Sequence, residues 1–406
     1  MTIFLLAGLA VYVAWNLGAN DVANSMGTSV GSKAITLTQA IIIAGVLEFS
    51  GAVIFGREVS STIASKVVNP EEFASQPQLF VMGMVAVLIS CGLWLQIATL
   101  FGLPVASSHA VVGAIAGFSW VAKGKDAVAW GNIGTIALGW VGTPVLSAIV
   151  AIVIYSLLQR SLFSKVSPDR LQEWIPWISA GLVAIFGTIV FPQFWRFGIF
   201  QDLSIPNRDL SLTLGGVSAV ALSLYGMKQL QQVKENKAVL EPVMSKYQVV
   251  SACFVAFAHG SNDVGNAIAP LAAIVYVSRS NTIPVGDIPI PTWILVIGGI
   301  GIVLGLAVQG KNVIATVGEN IISLVPSTGF CAELATATTI LLASRLGLPV
   351  STSHTLVGSI VGIGLWQNRS SVDWSTIRSI ILAWVVTLPV AGILGAVIFR
   401  IITAIA

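Results

Sequence analysis

Long apolar runs broken by short polar clusters set the rhythm of this chain. Leu79–Phe101, Ile133–Leu158 and Ile294–Val308 are continuous and of helix length, unlike the alternating segments of about ten residues that build a membrane β-barrel. They predict helices, as do Trp174–Phe191 and Leu210–Met227. Met1–Trp15 is apolar but has no basic leading region and no small-residue cleavage site, so it reads as a retained first helix and not as a signal peptide. We count about twelve membrane segments, some of them short or re-entrant. The expected fold is an all-α integral membrane protein.

Composition makes the membrane reading hard to avoid. Of 406 residues, 55% are hydrophobic and 9% charged, with a mean hydropathy of +0.90, where soluble domains carry about 25% charged residues. The net charge of +3 contains no basic cluster suited to nucleic acid. Cys91, Cys253 and Cys331 are scattered in apolar sequence without CxxC or His spacing. They read as buried free thiols, with no metal site or other cofactor implied.

The polar clusters come twice. Gly18-Ala19-Asn20-Asp21-Val22-Ala23-Asn24-Ser25 returns as Gly260-Ser261-Asn262-Asp263-Val264-Gly265-Asn266-Ala267, and Leu103-Pro104-Val105-Ala106-Ser107-Ser108-His109 returns as Leu348-Pro349-Val350-Ser351-Thr352-Ser353-His354. Trp130, Trp140, Thr143 and Pro144 are echoed by Trp374, Trp384, Thr387 and Pro389. Two homologous repeats are therefore expected, and short glycine-interrupted segments favour an inverted arrangement. The boundaries read as 1–160 for the first repeat, 161–227 for connecting membrane helices, 228–246 for a loop, and 247–406 for the second repeat. The run Lys228–Lys246 holds Lys228, Lys234, Lys237 and Lys246 against Glu235 and Glu241, which places it in the cytoplasm. The loops Asn69–Gln78 and Asn281–Pro291 differ between the halves and belong at the membrane surface.

Asp21 and Asp263 are carboxylates at membrane depth, costly unless a cation or a dense hydrogen-bond shell compensates them. Asn20 and Asn262 precede them, and Asn24 and Asn266 follow on the same helical face. Gly18, Gly260 and Gly265 permit an unwound stretch with free carbonyls. Together these oxygens suit a hard cation such as Na⁺, with a proton on each Asp as the alternative. In the second motif, Pro104 and Pro349 pre-set a helix start. The hydroxyls of Ser107, Ser108, Ser351, Thr352 and Ser353 then join unpaired N–H groups in a cradle for a tetrahedral oxyanion. Ordinary N-capping explains any one of these hydroxyls, though less well a run in both copies. Asn24 and Asn266 are assigned with Ser107, Ser108, Thr352 and Ser353 to the anion.

His109 and His354 are candidates for substrate binding, proton relay or a backbone hydrogen bond. Glu48 and Glu333 lie in apolar sequence at non-equivalent places in the two halves. They read as cation ligands, gate residues or buried interhelical bonds. Arg345 and Lys311, flanking apolar segments, read as snorkelling side chains. Cations at the aspartates would cancel their repulsion of an incoming anion, which is the logic of symport.

At these residues the chain resembles the inorganic phosphate transporter (PiT) family over essentially its whole length. GANDVANS and GSNDVGNA match the family's duplicated signature; LPVASSH and LPVSTSH match its Ser/Thr–His segments. The resemblance implies a secondary transporter taking up inorganic phosphate with Na⁺, or with H⁺, through about twelve helices in an inverted repeat. It also implies Asp21 and Asp263 as the transport-essential aspartates, and Glu48 and Glu333 as the intramembrane glutamates. A short central loop is similar to prokaryotic members and points to the cell membrane. Ala106 stands where Ser is common, which bears on phosphate against sulfate, since some members are thought to carry sulfate. A homodimer is compatible with the two unrepeated central helices. An anion channel would not need paired carboxylates. A Ser/His hydrolase would need partners from different segments and lacks a GxSxG elbow, so no enzymatic activity is expected.

Overall fold

A computed structural model describes residues 3–101, 105–194, 206–233, 239–284, 286–310 and 324–405. Leu103, Pro104, Lys234, Glu235, Lys237 and Lys311 lie outside the described residues. The first half holds α1 (Ile3–Gly31), α2 (Leu37–Phe55), α3 (Arg57–Ser65), α4 (Pro70–Phe73), α5 (Pro77–Leu100), α6 (Ser107–Lys123) and α7 (Trp130–Ser161). Next come α8 (Pro168–Phe194) and α9 (Asn207–Val233). The second half holds α10 (Leu240–Ser280), α11 (Thr292–Val308), α12 (Pro326–Arg345), α13 (Thr352–Gln367) and α14 (Trp374–Ile405). The described residues include no strand, only an isolated bridge between Val68 and Val128. Seven of these helices are long and apolar enough to cross a membrane. The described parts of the expected apolar runs fall inside helices, except that Phe101 lies just past the end of α5, and the first helix extends well past Trp15. The described ends of the Lys228–Lys246 run are helical, belonging to α9 and α10. Cys91 and Cys331 are buried and Cys253 half-buried, all as free thiols.

Two helices form the axis of the molecule. The Ser32 hydroxyl just past α1 donates to Gln248 Oε1 near the start of α10 (2.7 Å), while Asp21 and Asp263 meet at mid-length. α1 and α10 are therefore antiparallel. α5 runs beside α1, with Asn20 Nδ2 donating to Thr99 Oγ1 (3.1 Å), and α6 turns back with Phe118 lying over Gly83. α12 runs beside α10 in the same way. Glu241 accepts from Ser327 at one end (2.7 Å) and Asn262 donates to Ser344 Oγ near the other (3.0 Å). α13 turns back against α12, where the Thr336 and Ser359 hydroxyls meet at 2.8 Å. The two hairpins then exchange partners, since α6 packs on α14 and α13 on α7. α1 likewise packs on α11, and α10 on α2. The main apolar clusters draw on both halves.

The glycines of the first motif do something other than expected. α1 and α10 pass through Gly18, Gly260 and Gly265 without a break, so no backbone carbonyls are freed there. These positions are instead points of helix contact. A Cβ at Gly18 would strike the Ile302 carbonyl and one at Gly260 the Glu48 carbonyl, while one at Gly265 would press on the Ser60 backbone at 3.1 Å. Reciprocal contacts place Gly51 on the Phe257 carbonyl and Gly305 on the Trp15 carbonyl. A backbone carbonyl fixed in its own helix cannot yield as a flexible side chain does. Gly18→Ala is expected to destabilise the protein by about 1–3 kcal/mol. Gly8→Ala, with nothing within 4 Å of its new methyl, should be neutral or slightly stabilising. Thermal melts of the two variants in detergent check this pair, and equal melting temperatures would refute the crossing-point role.

Candidate functional site

The two Asn-Asp phrases converge at the crossing of α1 and α10. Asp21 and Asp263 are buried, and each offers an oxygen within a 4.8 Å cluster that also contains a nitrogen of His259. Asn24 Nδ2 donates to Asp21 Oδ1 (3.3 Å), and Thr352 Oγ1 donates to Asp263 Oδ2 (3.0 Å). Asn266 Nδ2 reaches into the other half to donate to Ser107 Oγ (3.2 Å). Asp21 Oδ2, Asp263 Oδ1, Asn262 Oδ1 and Asn266 Oδ1 are buried without a hydrogen-bond partner, and so is Ser108 Oγ. Buried acceptors left open at one place are costly. These open side-chain oxygens suit a hard cation, though the cluster also holds a His259 nitrogen, and none of the backbone carbonyls expected from sequence contributes.

The hairpin tips bring the second motif to the same place. α6 starts at Ser107, after an Ala106 cap position that has no side-chain bond. α13 starts at Thr352, capped by Ser351 Oγ, which accepts from His354 N (3.3 Å). Pro349 therefore precedes the helix by three residues and does not begin it; its carbonyl accepts from Trp140 Nε1 (3.1 Å). His109 N donates to the Ala106 carbonyl (3.1 Å) and His354 N to Ser351 Oγ, so the N–H groups that helix geometry leaves without an intrahelical partner are those nearest each start. The cradle is lopsided, with one cap hydroxyl more on the α13 side. Ser353 Oγ lies 2.9 Å from Ser351 Oγ.

The histidines act as struts. His109 Nδ1 lies 3.1 Å from the Trp384 carbonyl, and His354 Nδ1 lies 3.1 Å from the Trp140 carbonyl. Each ring rests against the tryptophan that receives the other, and the two imidazoles meet edge to face at 4.8 Å. A carbonyl only accepts, so Nδ1 is the protonated nitrogen in both bonds. The backbone bond is formed in both and ties each hairpin tip to the other half's last helix, while each Nε2 is buried without a partner.

His259 is the residue that sequence reading missed. Its Nε2 lies 2.9 Å from Asp263 Oδ2 and its Nδ1 3.2 Å from Glu48 Oε1, which also accepts from Ser25 Oγ (2.7 Å). The signal was present: His259 stands four residues before Asp263, one turn away on the same helical face. Repeat spacing sets Leu17 opposite His259, and the reciprocal glycine crossings set Ile302 opposite Glu48. The imidazole–carboxylate pair thus spans the two halves, and its counterpart, Leu17 with Ile302, is hydrocarbon on both sides. Thr99 and Ser344, bonded by the equivalent Asn20 and Asn262, were also missed. Their offset of 245 equals that of the Ser/Thr–His phrase.

Glu333 is not drawn into this cluster. Thr28 and Ser29 hydroxyls (2.6 Å each) and Gln248 Nε2 (3.1 Å) donate to Oε1, and the Ser251 hydroxyl donates to Oε2 (2.6 Å). Both oxygens are already taken. Glu48 stands one imidazole away from Asp263 and likewise outside the open oxygens, except for its own unpartnered Oε2.

This constellation has known counterparts. The sequence pattern of the Phosphate transporter family matches residues 17–395. A "Putative phosphate permease" of Pyrococcus abyssi is 39% identical over 98% of this chain and 96% of its own length. The "Inorganic phosphate transporter 2-1, chloroplastic" of Arabidopsis thaliana is 37% identical over 97% of this chain and 71% of its own. A solved structure described as the sodium-dependent phosphate transporter superposes with a TM-score of 0.90 at 35% identity, covering 100% of both chains. With the match running through both motif pairs and every helix that carries them, this multi-pass membrane protein belongs to the phosphate transporter family, as a transporter and not an enzyme.

Proposed function

We propose that the chain carries inorganic phosphate inward together with Na⁺ by alternating access. The observation that supports it best is the convergence of two buried carboxylates, from opposite halves, beside two helix starts rich in hydroxyls. Two carboxylates about 5 Å apart repel each other by about 3 kcal/mol at an effective dielectric of 20. They repel an incoming oxyanion in the same way. Na⁺ held by Asp21, Asp263, Asn20 and Asn262 removes that repulsion. Phosphate then meets the first turns of α6 and α13 through Ser107, Ser108, Thr352 and Ser353, with Asn24 and Asn266 alongside. Affinity for one ion therefore depends on occupancy by the other.

The antiparallel α1 and α10, with a hairpin beside each, support an inverted repeat of 1–160 and 247–406 around twelve membrane segments. In that reading α8 and α9 connect the repeats within the cell membrane, and the Lys228–Lys246 run is cytoplasmic. His109 and His354 hold the hairpin tips in place, and Glu48 and Glu333 support the cation cluster from outside it. The test is phosphate uptake into proteoliposomes, with Na⁺ and pH gradients imposed separately and sulfate as competitor. A Na⁺ gradient alone should drive accumulation that excess sulfate leaves unchanged. Accumulation driven only by a pH gradient would overturn the sodium assignment, and strong competition by sulfate would overturn the substrate.

A further inference from the structure

A cavity of about 470 Å³ opens between α3, the loop before α11 and the end of α12. It lies at the far end of α12 from Glu241 and Ser327, on the membrane face opposite the start of α10. Its floor is shared with the site. Gly347, at φ 67, lies so close that a Cβ there would come within 3.1 Å of Thr62 Oγ1. The next residue, Leu348, accepts from Asn262 Nδ2 through its carbonyl (3.3 Å). The left-handed turn and the close approach both call for glycine. One peptide unit thus separates the cavity from the Asn-Asp cluster.

The charges on its walls are unevenly paired. Lys66 holds Asp287 at 2.7 Å. Among the described residues Arg57 bonds only the Thr292 hydroxyl (2.8 Å), and Arg345 only the Thr188 carbonyl (3.4 Å). Among the described residues neither guanidinium has a carboxylate within 4.0 Å. Both are exposed, while Glu58 is the remaining acid on the lining. Snorkelling accounts for the reach of Arg345, though not for a second arginine without a carboxylate partner on the lining of the same cavity.

We propose that this cavity is the outer mouth of the transport path and a docking site for the oxyanion, with Arg57 and Arg345 as its contact groups. This rests on the uptake reading above. A guanidinium offers a planar fork of N–H donors that matches two oxygens of a tetrahedral oxyanion. Low-dielectric walls focus the field of the unpaired pair and raise the local anion concentration. Contact at exposed arginines is weak, so the anion is gathered here and released toward Ser353 and Thr352 when the Gly347–Leu348 segment moves.

The test uses the full-length protein in liposomes. Changing both Arg57→Ala and Arg345→Ala should raise KM for phosphate by about fivefold at low ionic strength, with Vmax and the KM for Na⁺ unchanged. Raising ionic strength with choline chloride should erase the difference. An unchanged KM at low ionic strength, or a change indifferent to salt, overturns the proposal. A second measurement reads the field without transport. A cysteine placed by Leu346→Cys on the cavity wall should react with an anionic methanethiosulfonate faster when both arginines are present. A neutral reagent should not distinguish the backgrounds. Charge-blind labelling would sink the docking site alone, whereas wild-type liposomes that accumulate no phosphate would sink the uptake reading.

Discussion

Asp21→Asn and Asp263→Asn are each expected to cut Na⁺-driven phosphate uptake by at least about 100-fold, the equivalent of losing about 3 kcal/mol of charge interaction. Each change keeps the shape of the side chain and removes the charge that makes cation binding worthwhile at this depth. The two variants should nevertheless differ in stability. Asp21 Oδ1 receives the Asn24 amide, at 3.3 Å, and Ser107 is a further side-chain hydrogen-bond partner of this carboxylate. Asp263 Oδ2 accepts from Thr352 Oγ1 and lies 2.9 Å from His259 Nε2. Removing its charge leaves His259 with one carboxylate instead of two, so Asp263→Asn should melt lower than Asp21→Asn. Na⁺ stabilises whatever state binds it, and both variants should lose much of the upward shift in melting temperature that Na⁺ gives the wild type. Wild-type uptake in either variant would refute the role given to that carboxylate. Equal melting temperatures would refute the asymmetry assigned to His259.

Much of this site was legible before any fold was known, because duplication separates function from accident. One Asn-Asp pair in a helix is a common polar clamp; two copies at nearly the same offset as two Ser/Thr–His phrases define a set of partners. The apolar runs gave the helices, since in lipid every backbone group must be satisfied within its own segment. Three things stayed hidden. Gly18 and Gly260 look the same in sequence whether they unwind a helix or admit a neighbour's backbone. Only the facing carbonyls of Ile302 and Glu48 distinguish the two. His259 has no counterpart in the first half, where Leu17 stands, so a search for what is repeated passes over it. Glu48 and Glu333 were visible as buried acids, but their partners come from helices far away in sequence. Serines and threonines at helix surfaces are too common to mark such partners in advance.

Glu333→Ala is expected to destabilise the protein by about 3 kcal/mol. Thr28, Ser29, Gln248 and Ser251 all donate to this fully buried carboxylate, which joins the end of α1 to α10 and α12. Hydrogen bonds to a charged acceptor contribute about 1.5–3 kcal/mol each. Three of the donors are hydroxyls that can turn back to a carbonyl of their own helix, so the net loss falls well short of the sum. Gln248 has no such retreat. Glu333→Gln should keep most of the stability, because its amide oxygen accepts where Oε1 did and its NH₂ can donate to the Ser251 hydroxyl. The pair of variants separates a clamp from a cation ligand. A clamp predicts that Glu333→Ala melts several degrees lower while Na⁺ still stabilises Glu333→Gln as it does the wild type. Loss of the Na⁺ effect in Glu333→Gln at unchanged stability would instead make Glu333 a ligand. The geometry favours the clamp, since both carboxylate oxygens are already engaged while open oxygens stand unpartnered at Asp21 and Asp263. Holding those two aspartates in register against their mutual repulsion is then the work of the helix pair that Glu333 fastens.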